Sequence, residues 1–85
     1  MTRTRKLYQW VLDNPRASIP FRDFERLLKA FGFGLNRTIG SHRQYVHPKV
    51  PRALPVQPEG KDAKRYQLRQ LLAMIDSYGL DIEDD

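Results

Sequence analysis

Apolar residues recur at helical spacing in three segments of the chain. In the clearest segment, large side chains three and four residues apart share one helix face: Phe21, Phe24, Leu27, Leu28 and Phe31. An Asn-Pro pair ends the first segment, since proline cannot continue the hydrogen-bond ladder of a helix. Gly32 and Gly79 follow the other two, where the left-handed backbone of a helix end favours glycine. The pattern predicts helices over residues 3–13, 21–31 and 63–79.

Short runs between the second and third helices alternate apolar and polar residues, which predicts strands. The predicted strands cover residues 33–37, 42–47 and about 53–56, with a turn at 38–41 and a loop at 59–62. Alternation places Phe33, Leu35 and Arg37 on one face of the first strand. Because prolines cannot donate to a ladder, we expect the proline-rich third strand to be irregular and to lie at a sheet edge.

This order of elements predicts an α+β fold, in which helices cover one face of a three-stranded antiparallel sheet. The other face of such a sheet is free for function. The 85 residues suffice for one domain. Within residues 1–85 we distinguish a helical extension (1–14), a core (21–80) and an acidic tail (81–85).

The formal charge of +5 conceals an asymmetry along the chain. Residues 76–85 hold five acidic side chains and no Lys or Arg, whereas residues 1–75 hold 15 basic and five acidic ones. A strongly basic body indicates a nucleic-acid partner. We expect the acidic tail either to extend into solvent or to lie against the basic face when no nucleic acid is bound.

Cysteine is absent, which excludes disulfide scaffolds, thiolate zinc sites and cysteine nucleophiles. No apolar run approaches the roughly 18–20 residues of a membrane span. The N-terminus also lacks the apolar run of a secretory signal. We therefore expect a cytoplasmic protein without a membrane partner.

Both histidines of the chain lie in the second predicted strand. Imidazole can accept and donate a proton near neutral pH, as a metal-free ribonuclease requires. Their separation of five residues places His42 and His47 on opposite strand faces unless a bulge intervenes. Tyr45 is the expected inward anchor and shares its face with His47, so His42 is the better candidate for the open face. The structural alternatives are a surface histidine at position 42 and a packed histidine at position 47.

Two histidines on opposite faces, without cysteine, do not make a tetrahedral zinc site, and we expect no metal or cofactor. Residues 37–69 carry eight basic side chains and two acidic ones. Three of the basic residues gather near the start of the last helix, where backbone N–H groups favour anions. Our candidates for phosphate contacts are Arg37, Arg43, Lys49, Lys61, Lys64 and Arg65.

Several short motifs together resemble those of the HicA toxins, small mRNA interferases of toxin–antitoxin modules. The resemblance covers roughly residues 21–80 and rests on Gly32-Phe33, Arg37, Gly40-Ser41-His42, His47-Pro48 and Leu68-Arg69-Gln70-Leu71-Leu72. It implies the fold of a double-stranded-RNA-binding domain and mRNA cleavage without a metal. His42 would be catalytic, with Gly40 and Ser41 of its motif at the RNA.

The resemblance also implies a partner, an antitoxin of the HicB type that covers the active face in a hetero-oligomeric complex. Arg43 departs from the pattern, because many members have a second histidine there. The N-terminal helix resembles an extension found in part of the family. Two other functions stay open: a non-catalytic RNA-binding module, and a protein-interaction domain whose basic face meets an acidic partner.

Overall fold

Two helices precede a three-stranded antiparallel sheet, and a third helix follows it. A computed structural model describes residues 3–83. The elements are α1 (Arg3–Asp13), α2 (Phe21–Ala30), β1 (Gly34–Ile39), β2 (His42–His47), β3 (Val50–Val56), β4 (Pro58–Glu59), β5 (Asp62–Ala63) and α3 (Arg65–Tyr78). The predicted α+β fold and the order of its helices and three main strands are confirmed.

The helices begin and end close to where the apolar pattern predicts. The apolar stripe of α2 is buried, with Phe24, Leu27 and Leu28 fully inaccessible. Gly32 has φ of +95°, and the Phe33 N–H donates to the carbonyl of Leu28 at 2.9 Å, which closes the end of α2. Glycine at position 32 thus turns the chain directly from α2 into the sheet.

The core lies between the helices and one face of the sheet, whose strand order is β1-β2-β3. Tyr45, Leu54 and Val56 point into this core and are at most 1% exposed. Within it α3 contacts β3, and α1 packs on α2. The third strand lies at an edge, and its pairing with β2 is irregular between Tyr45 and His47, as its prolines predict.

The hairpin of β1 and β2 is longer and tighter than the sequence predicts. Strand β1 continues to Ile39, which pairs with His42, so the turn consists of Gly40 and Ser41 alone. Gly40 has φ of +60°, and a glycine at the first position of a two-residue turn suits the twist of a hairpin.

The predicted loop at 59–62 is a small β-hairpin instead. Strands β4 and β5 pair around a two-residue turn, in which Gly60 has φ of +64°. The Phe21 N–H donates to the Lys61 carbonyl, and the Ala63 N–H donates to Ile19. These bonds attach the hairpin to the start of α2, and two-residue strands are too short to show any periodicity in sequence.

The predicted shared face of Leu35 and Arg37 is wrong. A β-bulge between them shifts the register, so that Leu35 pairs with Tyr45 while Arg37 pairs with Gln44. Since directly paired residues share a face, Arg37 lies on the side opposite the core. The extra residue on β1 is Asn36.

The chain beyond α3 returns to the core. Leu80 and Ile82 are buried, and the Glu83 N–H donates to the Ala30 carbonyl at 2.7 Å. The packed domain therefore extends to Ile82, and the described part of the acidic tail does not extend freely into solvent. Asp84 and Asp85, the rest of that tail, lie outside the described residues, as do the first two residues of the N-terminal extension.

Within residues 3–83 no helix has the length and apolar character needed to cross a membrane.

Candidate functional site

His42 is the first residue of β2 and lies on the sheet face that the helices leave uncovered. It directly follows the Gly40-Ser41 turn and pairs with Ile39. His42 is exposed, as are Ile39 and Val46 on the same face, whereas Tyr45 on the opposite face is fully buried. The predicted orientation of the second strand is therefore confirmed, with His42 on the open face.

Arg37 is the cationic neighbour of His42 on this face. The bulge in β1 places Arg37 opposite Gln44, two residue pairs away from the Ile39–His42 pair and therefore on the same face. Such diagonal neighbours lie roughly 7–8 Å apart, within reach of a long arginine side chain. The register thus places two groups on one open surface: an imidazole, which can transfer a proton near neutral pH, and a permanent positive charge. Cleavage of a phosphodiester requires groups of these two kinds.

Arg43, by contrast, faces the helices rather than the open surface. Its Nη1 lies 2.6 Å from Glu25 Oε1, and its guanidinium lies 5.3 Å from the centre of the Phe21 ring. The Tyr45 hydroxyl donates to Glu25 Oε2, also at 2.6 Å. One carboxylate therefore holds β2 against α2 through two adjacent residues of the same strand face.

The ionisation of this cluster follows from its contacts. Burial alone would raise the pKa of Glu25, but the hydrogen bonds from Tyr45 and Arg43 and the charges of Arg43 and Lys29 bring it below its usual value. The pKa of Tyr45 is raised, chiefly by burial and secondly by the hydrogen bond to Glu25. Glu25 is thus a charged structural anchor, and its carboxylate is directed away from the open face.

His47 has a structural position at the far end of β2. Its Nδ1 accepts a hydrogen bond from the Lys49 N–H at 3.0 Å, and its Nε2 lies 2.9 Å from the Phe31 carbonyl oxygen. Because one nitrogen accepts, Nε2 must carry the proton and donate to Phe31. The ring also packs edge-on against Phe33. This side chain connects the turn after β2 to the end of α2.

The other candidate cations divide between the two ends of the sheet. Lys49 lies in the turn beyond His47, and His47 itself is roughly 17 Å along the strand from His42. Val56, at the other end of β3, pairs with Arg43 and leads directly into β4. Lys61, Lys64 and Arg65 follow from there, so they lie in the helix layer at the His42 end.

The start of α3 forms a basic depression at that end. Lys64 precedes the helix in an extended conformation, and the Arg65 guanidinium donates to the Arg16 carbonyl at 2.7 Å. The depression holds about 370 Å³ and is lined by Glu59, Lys64, Arg65, Tyr66 and Arg69. No group of three or more His, Asp or Glu side chains in the described chain is placed to hold a metal ion.

Glu25 is the residue that sequence reasoning missed. It lies on the polar side of a predicted helix, like several other charged residues, and nothing in its spacing indicates a partner on β2. Adjacent residues of a strand point to opposite faces, so the side chains of His42 and Arg43 must lie on opposite sides of the sheet. This alternation alone could have placed Arg43 at the helices.

The uncovered sheet face carries an exposed histidine and an arginine, and further cations lie at the same end of the sheet. The protein is thus a small α+β domain suited to a polyanionic ligand. A sequence model described as the HicA toxin of bacterial toxin–antitoxin matches residues 21–76. The chain belongs to this family of toxins, and the partner that such a toxin has is an antitoxin. The match begins at the first residue of α2 and ends within α3, so α1 lies outside it. Comparisons with curated proteins and with solved structures found no match.

Proposed function

We propose that this toxin is an endoribonuclease that cleaves mRNA without a metal and uses His42 as its proton-transfer residue. The observation that supports this most strongly is the placement of His42 beside Arg37 on the open face of a HicA-family domain. Imidazole transfers protons near neutral pH, and a guanidinium stabilises the charge that gathers on phosphate.

The reaction is an internal transesterification of the RNA. Neutral His42 removes the proton from a 2′-hydroxyl, and the 2′-oxygen attacks the adjacent phosphorus. The bond from phosphorus to the 5′-oxygen breaks, leaving a 2′,3′-cyclic phosphate on one fragment. The departing 5′-oxygen takes up a proton and becomes a 5′-hydroxyl. The protonated imidazole of His42 can return that proton to the leaving oxygen.

The surrounding residues bind and orient the RNA. Arg37 donates to the scissile phosphate, and the Gly40-Ser41 turn lets the backbone approach closely beside His42. Flanking phosphates contact Lys61, Lys64 and Arg65 at the same end of the sheet. Arg43 acts as an anchor through its pair with Glu25, and Lys49 lies too far away to touch the same phosphate.

The antitoxin, of the HicB type, covers the open face and forms a hetero-oligomeric complex with the toxin. Two apolar side chains on this face support such a contact, since Ile39 is 54% and Val46 is 39% exposed. Apolar residues beside cations favour a protein partner that buries the first and neutralises the second. The toxin acts in the cytoplasm, where mRNA is translated.

A second function, a non-catalytic RNA-binding module, is favoured by one observation. The residues that pairing assigns to the open face include a single proton-transfer group, because the side chain of His47 is engaged with Phe31 and Lys49. A binding module would retain salt-dependent affinity for RNA and would cleave nothing.

Induced expression in a bacterial host tests the toxin. Wild-type protein should arrest growth and deplete full-length mRNA, and His42→Ala should abolish both effects at equal protein level. Gln70→Ala, an exposed position on α3, is the matched control and should remain toxic. Growth arrest by His42→Ala at wild-type strength would contradict the proposed role of His42.

A further inference from the structure

A groove between α1 and α2 lies outside the site described above. It holds about 460 Å³. One wall consists of Arg3 and the side chains three, four and seven positions after it on α1, which share one helix face. The outer face of α2 forms the other wall. Its polar and aromatic lining consists of Arg3, Lys6, Trp10, Arg22, Asp23 and Arg26. We refer to this surface as the α1–α2 groove.

The charge of the groove is strongly positive and mostly unpaired. Asp23 is its one acid, and its carboxylate is bound to Arg26 at 2.7 Å. Arg3, Lys6 and Arg22 have no ion-pair partner within residues 3–83. Three uncompensated cations along one groove favour a ligand with regularly spaced negative charges, and a nucleic-acid backbone has that property.

Trp10 gives the groove a flat aromatic surface. This residue is 46% exposed, whereas tryptophan is highly buried on average. Leu7 lines the groove next to it and is packed against the core, so the wall that carries Trp10 is fixed. An exposed indole among cations is the arrangement on which proteins stack the bases of single-stranded RNA.

The groove leads toward the His42 end of the sheet. Arg22 lines both the α1–α2 groove and a neighbouring cavity of about 620 Å³, which Phe21 and Lys61 also line. The Phe21 ring lies beneath the guanidinium of Arg43, the residue next to His42. The two cavities therefore meet at Arg22, and the second, which also contains Asp62, reaches the helix side of the strand whose opposite face carries His42.

We propose that the α1–α2 groove binds single-stranded RNA flanking the cleavage site, with one base stacked on Trp10 and phosphates held by Arg3, Lys6 and Arg22. This inference rests on the proposed function, because the bound strand is the substrate itself. Since α1 lies outside the range that matches the family, the extension adds a substrate subsite to this toxin.

Trp10 is the single tryptophan of the chain and reports on its own contact. The full chain is titrated with a 2′-O-methyl RNA of about 12 nucleotides, within the site sizes usual for single-strand binders. This RNA cannot be cleaved through a 2′-hydroxyl. A stacked base should quench tryptophan fluorescence in wild-type protein and equally in His42→Ala. Inorganic polyphosphate, which offers charge without bases, should leave the fluorescence unchanged.

Binding of the same RNA carrying a fluorescent label tests the individual residues. Trp10→Ala should weaken affinity about tenfold, as the loss of one stacked base does. Lys6→Gln/Arg22→Gln should lower the slope of log affinity against log salt by about 1.4, since each phosphate contact on a single strand contributes about 0.7. The controls are Leu12→Ala, an exposed apolar residue of α1, and Arg16→Gln/Arg52→Gln, an equal loss of charge elsewhere.

Three results would overturn the inference. RNA binding without quenching, together with wild-type affinity in the groove variants, would leave the ribonuclease intact and remove the subsite. Groove variants that lose affinity for polyglutamate and keep it for RNA would assign the surface to an acidic protein. Wild-type protein that neither binds nor cleaves RNA would refute the proposed function as well. A separate cleavage assay distinguishes this outcome from failure of the subsite alone.

Discussion

Arg37 and His42 lie on the same open face of the sheet, on adjacent strands and two residues out of register. The bulge between Leu35 and Arg37 creates this relationship, because an unbroken strand would direct Arg37 toward the helices. The juxtaposition of the two side chains is the geometric basis of the proposed site.

The first prediction concerns the charge of Arg37. Arg37→Ala should lower kcat for RNA cleavage about 10²-fold, the usual cost of removing one donor to a developing negative charge. Arg37→Lys should recover part of the loss, since it restores the charge without the planar fork. Steady-state cleavage and thermal unfolding measure both effects, and the melting temperature should not change. Arg52→Ala, an exposed cation on β3, is the control; an equal loss of activity there would show that only net charge matters.

The second prediction concerns Glu25. Glu25→Gln should reduce the free energy of unfolding by about 2 kcal/mol, because the charged acceptor of the Tyr45 and Arg43 bonds is lost. Urea denaturation at neutral pH measures this change. An effect within a few tenths of a kcal/mol would show that the cluster does not stabilise the fold.

The same cluster predicts a dependence of stability on pH. The folded-state pKa of Glu25 is lowered, so its stabilising contribution is present above the ordinary glutamate value of 4.5 and is lost as the pH falls through the folded pKa. Between neutral pH and about pH 3, wild-type protein should lose more stability than Glu25→Gln. Parallel curves for the two proteins would contradict this assignment.

The fourth prediction separates the two histidines. His47→Ala should destabilise the fold by about 1–3 kcal/mol, since the Phe31 carbonyl and the Lys49 N–H both lose a partner. At a temperature where this variant is folded, its kcat should equal that of wild-type protein. Far-UV circular dichroism and cleavage on one sample measure both properties. A folded His47→Ala without activity would give that histidine a part in the chemistry.

The fifth prediction concerns the returning C-terminal segment. Ile82→Ala should lower stability by about 2 kcal/mol, because it removes a buried side chain from the core. Asp81→Asn, at an exposed neighbouring position, should remain within about 0.5 kcal/mol of wild type. Equal stability of the two variants would show that the segment is detached in solution. Deletion of residues 80–85 would therefore remove buried side chains of the core, Leu80 and Ile82, together with the acidic tail.

Periodicity and end residues predict the helices well, because each apolar stripe is long enough to define a face and Gly32 and Gly79 mark the stops. Parity along β2 places His42 and Tyr45 on their correct faces, since β2 pairs with β3 without a break from Arg43 to Tyr45 and the extra residue of the bulge lies on β1. These features depend on local sequence alone. The periodicity and the motif around His42 therefore predict the same fold, which the structure shows.

The remaining features depend on pairing between distant segments. The bulge at Asn36 arises from how β1 aligns with β2, and no residue type on β1 marks it. The hairpin at 58–63 is held by bonds to Ile19 and Phe21, which lie far away in sequence. Glu25 acquires its role only when β2 lies against α2. Each is a tertiary effect that overrides local pattern.

Cleavage of a defined RNA by purified protein in the presence of a metal chelator tests the central proposal most directly. Wild-type protein should produce fragments with 2′,3′-cyclic phosphate and 5′-hydroxyl ends. A single 2′-deoxy substitution at the cleaved nucleotide should block the reaction. His42→Ala should bind the RNA with wild-type affinity and cleave it at least about 10²-fold more slowly. Cleavage by His42→Ala at the wild-type rate, or cleavage of the 2′-deoxy substrate, would contradict the assignment of His42 as the group that activates the 2′-hydroxyl.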